Sequence, residues 1–325
     1  MTNTIFYNNI SLHERGRNGK MQYKDAINEY FNYLDLTLKP TTTLNLARIF
    51  KKHITPYFEN LDVSKIDNMT YLGWTNQIKK KNYSNRYNEN IYFALKKFFD
   101  YLEKMYDIKN VPKKYGKFIN TKVEIKKINF WSLSEFKQFI NVVKDPILHC
   151  FFNLLFFTGL RKGEALALRF NDLIDNKLRI NKSITKDCFN GKRLELTPKT
   201  KNSNREILID LILKNEILKL KEYYSTRFEN FNDNFYIFGG SSSLAPTTIE
   251  RKKNIYCKIA GVKQIRIHDF RHSHATLLYS NKVNIKYIQQ RLGHSDISTT
   301  LNTYVHLENE YEKKVIRTLF LQKLL

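Results

Sequence analysis

Cysteine is scarce in this chain, and so is acid. Cys150, Cys188 and Cys257 are the only cysteines in 325 residues. They are too few and too widely spaced for a disulfide framework or a zinc ribbon. The first twenty residues, MTNTIFYNNISLHERGRNGK, lack the apolar core of a secretion signal. No apolar run matches a bilayer, which takes about 20 residues. The most apolar stretch, PILHCFFNLLFFTGL at 146–160, holds His149 and Asn153 and reads as a buried helix. No lipidation motif, basic amphipathic anchor, repeat or low-complexity tract stands out. These absences point to a globular cytoplasmic protein with no membrane partner. The shortage of acid is the more telling one. Lys and Arg number 55 against 31 Asp and Glu, a net charge of +24. Self-repulsion on that scale is relieved by a polyanion, and nucleic acid leads, because neutralised phosphates release counterions on binding.

A chain of this length is expected to fold as two domains. Residues 22–107 carry helical periodicity: Ala26, Tyr30, Phe31 and Leu34 recur in one segment, and Ile91, Leu95, Phe98, Phe99 and Leu102 in another. Pro40 and the three threonines after it mark a break and N-cap between the first two helices. Residues 109–127 hold seven lysines and one glutamate, the composition of an exposed basic linker. Lys113, Lys114 and Lys117 in it are placed to track a phosphate backbone. A second domain opens at Trp131, with Ser132 or Ser134 as a helix N-cap. Within 177–209, Leu178/Ile180, Leu194/Leu196 and Ile207/Ile209 alternate as strands do, and Asn190-Gly191 is a hairpin signal. A small three-stranded antiparallel sheet is expected there, with PKTKNSN as its second loop. Helices resume at Leu211 and again at Pro246.

Five of eight histidines lie within 268–306. In IRIHDFRHSHATLL, His268 and Arg271 are three apart, on one helical face. His268-Asp269-x-x-His272 approaches a zinc-hydrolase pattern, but aspartate is shorter than the glutamate base and no third ligand is nominated, so no metal is assigned. In TGLRKGEALAL, Arg161 follows Gly159 by two residues, and a glycine there lets the chain turn and a phosphate approach the backbone. Glu164, at i+3, can hold Arg161 in place. Two arginines, two histidines and a lysine-rich loop make a clamp for one phosphodiester, whose non-bridging oxygens suit guanidinium forks. His272, His274 and His306 read as structural. Thr247, Thr248, Arg251 and Lys252 open the helix after Pro246 and are candidate DNA contacts, to phosphate before base.

With these motifs in view, the chain resembles the tyrosine recombinases of the phage-integrase family. The ordered pattern is Arg161 in TGLRKGEAL, a lysine in TPKTKNSNR, His268 and Arg271 in HDFRH, His294 in LGH, and Tyr304 in NTYVHL. The resemblance covers about 131–310, and 22–107 fits the family's helical domain more loosely. It implies a mainly α, C-shaped two-domain clamp with a small three-stranded antiparallel sheet. The expected divisions are an N-terminal segment of unread role (1–20), a helical SAM-like core-binding domain (21–108), a basic linker (109–130) and a catalytic domain (131–325) with a tail helix from about 311. It implies site-specific strand exchange through a 3′-phosphotyrosyl link, with Tyr304 as nucleophile and Lys199, or alternatively Lys201, as the acid for the 5′-hydroxyl. Arg161, Arg271, His268 and His294 would hold the phosphate. No metal, ATP or other cofactor is implied. The implied partners are double-stranded DNA with a specific site, three further copies of the chain on two duplexes, and an accessory bending or directionality factor. About twenty residues precede Lys24, too few for the arm-binding domain that many integrases carry. The NTYVHL end and the longer His294-to-Tyr304 interval nonetheless favour an integrase over an Xer-type resolvase. A type IB topoisomerase-like relaxing enzyme and an idle DNA-binding protein are the rivals.

Overall fold

The computed structural model describes residues 21–117, 129–186, 193–196 and 204–293. The chain divides into two compact units, Met1–Ile125 and Lys126–Leu325.

The first unit is helical among its described residues: α1 (Tyr23–Thr37), α2 (Pro40–Ile49), α3 (Thr55–Phe58), α4 (Asn68–Lys79), α5 (Asn85–Tyr106) and α6 (Val111–Tyr115), with a π-helical turn at Phe50–Ile54 joining α2 to α3. Pro40 occupies the first turn of α2, where its missing N–H costs nothing, so the cap position falls on Lys39 and not on the threonines. The periodic residues of α1 and α5 meet in an aromatic core. Tyr30 and Phe50 both pack against Phe98, and Trp74 donates to the His53 carbonyl at 2.8 Å.

Residues 109–117, the described start of the expected linker, depart from the exposed segment that their composition suggests. Asn110 caps α6 through Lys113 N–H, and Val111 is buried. The Tyr71 and Tyr92 hydroxyls donate to the carbonyls of Gly116 and Pro112. Lysine content alone could not register this, because the lysines lie outside while a Val-Pro pair points in.

The second unit contains α7 (Leu133–Asn141), α8 (Pro146–Thr158), α9 (Lys162–Ala167), β1 (Leu173–Ile174), β2 (Lys177–Ile180), β3 (Ser183–Lys186), β4 (Arg193–Leu196), β5 (Arg205–Leu208), α10 (Leu211–Ser225), α11 (Pro246–Ala260), α12 (Asp269–Ser280) and α13 (Ile285–Leu292). Ser132 caps α7 in a reciprocal capping box with Glu135. α8 is the central rod. Phe151, Phe152, Leu154, Leu155 and Phe156 are buried, and Phe152 stacks on Phe270 of α12 at 5.6 Å. Two of its polar positions, His149 and Asn153, face Glu216 of α10 at 3.5 and 2.9 Å. Cys150 and Cys257 are buried free thiols.

The strands pair differently from the expected meander. β2 lies between β1 and β5 in a three-stranded antiparallel sheet, with Leu178 opposite Ile207. β3 and β4 form a separate two-stranded ribbon. Leu194 and Leu196 alternate, but both are exposed, so their pattern is not tied to the core. The buried register of Leu178, Ile180 and Ile207 selects β5 as the partner of β2 and leaves the ribbon outside that sheet, with Ile184 of β3 still in the core.

Candidate active site

Two helices end at the site, each closed by a left-handed glycine. Gly159 (φ 68°) ends α8 and Gly293 (φ 67°) ends α13. A Cβ on Gly159 would stand 2.7 Å from both His274 Cδ2 and Leu292 Cδ2, so this glycine permits a close junction of α8, α12 and α13. The unpaired carbonyls of helix C-termini carry partial negative charge, and guanidiniums collect on them. Arg271, in the first turn of α12, is buried and donates to the Gly159 carbonyl at 2.9 Å and the Leu292 carbonyl at 2.7 Å. Such partners make the burial of an arginine tolerable.

Arg161 stands at the N-cap of α9. Its backbone N–H and its Nη1 donate to the two Glu164 oxygens at 2.9 and 2.8 Å, and its Nη2 reaches the Gly293 carbonyl at 3.2 Å. Its side chain keeps 38% of its surface open to solvent. Gly163, between them, lets α9 approach the ribbon: a Cβ there would lie 2.6 Å from the Ile184 carbonyl oxygen.

Burial alone would raise the Glu164 carboxyl. Hydrogen bonds from Arg205 and the charges of Arg205 and Arg161 outweigh that and hold it at about 2. His268, at the N-cap of α12, stands edge-on to His272 at 5.2 Å. The residue is exposed at the surface, yet neighbouring protein still desolvates the ring. Desolvation, then His272 and the Arg271 and Arg161 charges, push it down to about 4, so the ring is neutral at physiological pH.

Arg161, Glu164, His268 and Arg271 therefore come together, and Arg161 and Arg271 grip the two residues immediately before His294. His294, Tyr304, Lys199, Lys201 and the tail from 311 lie outside the described residues. Of the candidate DNA contacts, Thr247 and Arg251 are exposed, while Thr248 and Lys252 are half-buried on α11. In the first unit, Lys113 pairs with Glu103 at 3.3 Å and Lys117 with Glu89 at 3.0 Å. Lys114 lies 5.8 Å from the Tyr115 ring centre. Exposed pairs of this kind are weak and do not bar a phosphate. Among the described residues, no three His, Cys, Asp or Glu side chains converge as a metal site would require.

Two supports escaped the motif reading. Arg205, at the start of β5, donates to both Glu164 oxygens and to the Arg291 carbonyl. Arg291 in turn donates to His274 Nε2 at 3.2 Å and to the Phe157 and Leu208 carbonyls. That leaves His274 to donate from Nδ1 to the Phe156 carbonyl at 2.9 Å, a neutral tautomer set by its arginine. Desolvation and the Arg291 charge push this histidine down to about 3.

Known proteins resemble the chain along most of its length. Residues 131–310 match the phage integrase family, and 22–79 match its N-terminal SAM-like domain. The chain belongs to the phage integrase family and is a tyrosine recombinase, an enzyme of DNA strand transfer. It is 32% identical over 316 residues to the ICEBs1 integrase of Bacillus subtilis (strain 168), covering 93% of this chain and 84% of that one. It is 26% identical over 324 residues to an integrase of Staphylococcus phage L54a, covering 91% of each. The fold is shared with a Tn1549 transposon integrase solved in complex with transposon right end DNA (TM-score 0.70, 18% identity, 89% of this chain and 98% of that one). It is shared also with lambda integrase(75-356), solved as a dimer on a COC′ core site (TM-score 0.62, 16% identity, 87% and 95%). Among its described residues this chain is mainly helical with two small antiparallel sheets, in two compact units. Among the described residues, no helix is long and apolar enough to cross a membrane.

Proposed function

We propose that this recombinase binds double-stranded DNA at a specific site and exchanges strands there through Tyr304, integrating and excising a mobile element. The observation that carries the reading is the convergence of Arg161 and Arg271 on Leu292 and Gly293, directly before His294, with the carboxylate of Glu164 behind Arg161.

The phenol of tyrosine titrates near ~10, so it needs an electrophile whose growing charge is already met. Arg161 and Arg271 stabilise the non-bridging oxygens. Neutral His268 holds an oxygen through its N–H or takes the phenolic proton, and His294 adds a further hydrogen bond. Tyr304 Oη bonds to phosphorus, the bond from phosphorus to O5′ breaks, and Lys199, or Lys201 in its place, protonates the departing oxygen. The 3′-phosphotyrosyl link keeps the energy of the broken bond. A 5′-hydroxyl of the partner duplex reverses the step without ATP, in a homotetramer spanning two duplexes and assisted by an accessory bending or directionality factor. Thr247, Thr248, Arg251 and Lys252 contact phosphates, as do Lys113, Lys114 and Lys117 from the first unit. The setting is cytoplasmic, at the nucleoid.

Xer-type resolution is a second reading. It is favoured by the 28% identity over 325 residues to a XerC-like tyrosine recombinase of Caldanaerobacter subterraneus subsp. tengcongensis. The test is incubation with a nicked duplex carrying one end of the element. An SDS-stable adduct is expected from the parent and none from Tyr304→Phe. Lys199→Ala should lose cleavage of the ordinary duplex and regain it on a 5′-thio leaving group, and Lys201→Ala should not. Rescue of neither removes this loop from the mechanism.

A further inference from the structure

Glu164 is shared between two guanidiniums of unlike exposure. Its Oε1 accepts from Arg161 Nη1 at 2.8 Å and from Arg205 Nη1 at 3.3 Å, and its Oε2 from the Arg161 backbone at 2.9 Å and from Arg205 Nη2 at 2.9 Å. The Arg205 side chain is only 7% exposed, against 38% for Arg161. Arg205 also donates from Nε to the Arg291 carbonyl, near the end of α13, at 2.9 Å. One guanidinium thus joins α9, β5 and the helix that leads to residue 294.

Charge counting gives the arrangement a purpose. Arg161 with Glu164 alone is a neutral pair, and a neutral pair has little attraction for a phosphate. Arg205 supplies the second positive charge, so the group of three carries a net charge of +1. The exposed member, Arg161, is the one able to present it. Arg205 points inward and spends its donors on the carboxylate and the helix end. We propose that Arg205 is a positioning residue for Arg161. It balances and aims the shared carboxylate of Glu164, so that Arg161 meets the phosphodiester with its charge uncompensated and its guanidinium fixed against α13. The inference rests on the phosphodiester clamp proposed above.

The test is a double-mutant cycle in the full chain. It reads single-turnover formation of the SDS-stable adduct on a nicked duplex at saturating protein, with melting temperature measured in parallel. Arg205→Met is expected to slow adduct formation about 10²-fold, the scale of losing one preorganised charge partner. In an Arg161→Ala background, the same change should cost less than about threefold, because its route of action is already gone. Arg205→Lys keeps the charge without the fork and should recover at least about tenfold over Arg205→Met. If Arg205→Met is unfolded at the assay temperature, Arg205→Lys carries the same comparison, and its loss must vanish when Arg161 is absent. Equal losses from Arg205 substitution with and without Arg161 would overturn the inference, as would a parental rate in Arg205→Met. A parent that forms no adduct would sink the clamp itself, and this inference with it. A parent that forms the adduct with full additivity in the cycle would sink the inference alone.

Discussion

Gly159→Ala isolates the geometry that brings the clamp together. Gly159 adopts φ 68°, and an L-residue in that left-handed region costs about 1–2 kcal/mol. The added Cβ would also stand 2.7 Å from both His274 Cδ2 and Leu292 Cδ2. Neither side chain is a loose end. His274 is buried and held by Arg291 and the Phe156 carbonyl, and Leu292 is fully buried. Overpacking of this kind costs about 1–3 kcal/mol, so the sum is about 2–5 kcal/mol. For a unit of this size each kcal/mol moves the melting temperature by about 2–4 °C, which gives a fall of roughly 4–20 °C by calorimetry or circular dichroism. The Gly159 carbonyl also accepts from Arg271, so adduct formation should fall further than the lost stability explains at a temperature where the variant is folded. A melting temperature within about 2 °C of the parent, with unchanged cleavage, would refute the close-packed junction.

Glu164→Gln removes the charge that two arginines share. The variant should lose about 3 kcal/mol, as when one partner leaves a buried ion pair, measured by urea unfolding at pH 7. Because the folded carboxyl is held at about 2 against an ordinary 4.5, its contribution is complete above about 4.5 and disappears as pH falls toward 2. The gap between parent and variant should therefore close over that window, and a constant gap would contradict the assignment. Arg251→Ala should weaken binding to every duplex alike and flatten the slope of log K against log salt by about 0.9, the signature of one lost phosphate contact. A change confined to one sequence would mean base reading.

The placement of Arg161 beside Glu164 and of His268 beside Arg271 was legible because these relationships are short. Arg161 and Glu164 sit three apart across the start of α9, and His268 and Arg271 three apart across the start of α12, so helical geometry alone puts them together. α8 was legible from its composition, and its His149 and Asn153 proved to be the polar side facing Glu216. Arg205 and Arg291 were not legible. Their contacts span 41 residues to Glu164 and 134 to Phe157, and a lone arginine at the start of a strand or the end of a helix has no local pattern. The pairing of β2 with β5 escaped for the same reason. Lys177 lies opposite Leu208, and the whole β3–β4 ribbon intervenes in sequence. Alternation finds strands, but only the shared core selects their partners. Residues 109–117 show the converse error, where a strong compositional signal on the outer face hid a packed inner one.

The central claim is that one tyrosine of twenty carries the covalent link. Trapping the adduct on a nicked duplex, digesting both components and sequencing the nucleotide-bearing peptide by mass spectrometry reads that residue directly. A single modified peptide containing NTYVHL is expected, with the nucleotide on Tyr304 through its 3′-phosphate. A nucleotide on any other residue, or one joined through a 5′-phosphate, would contradict it.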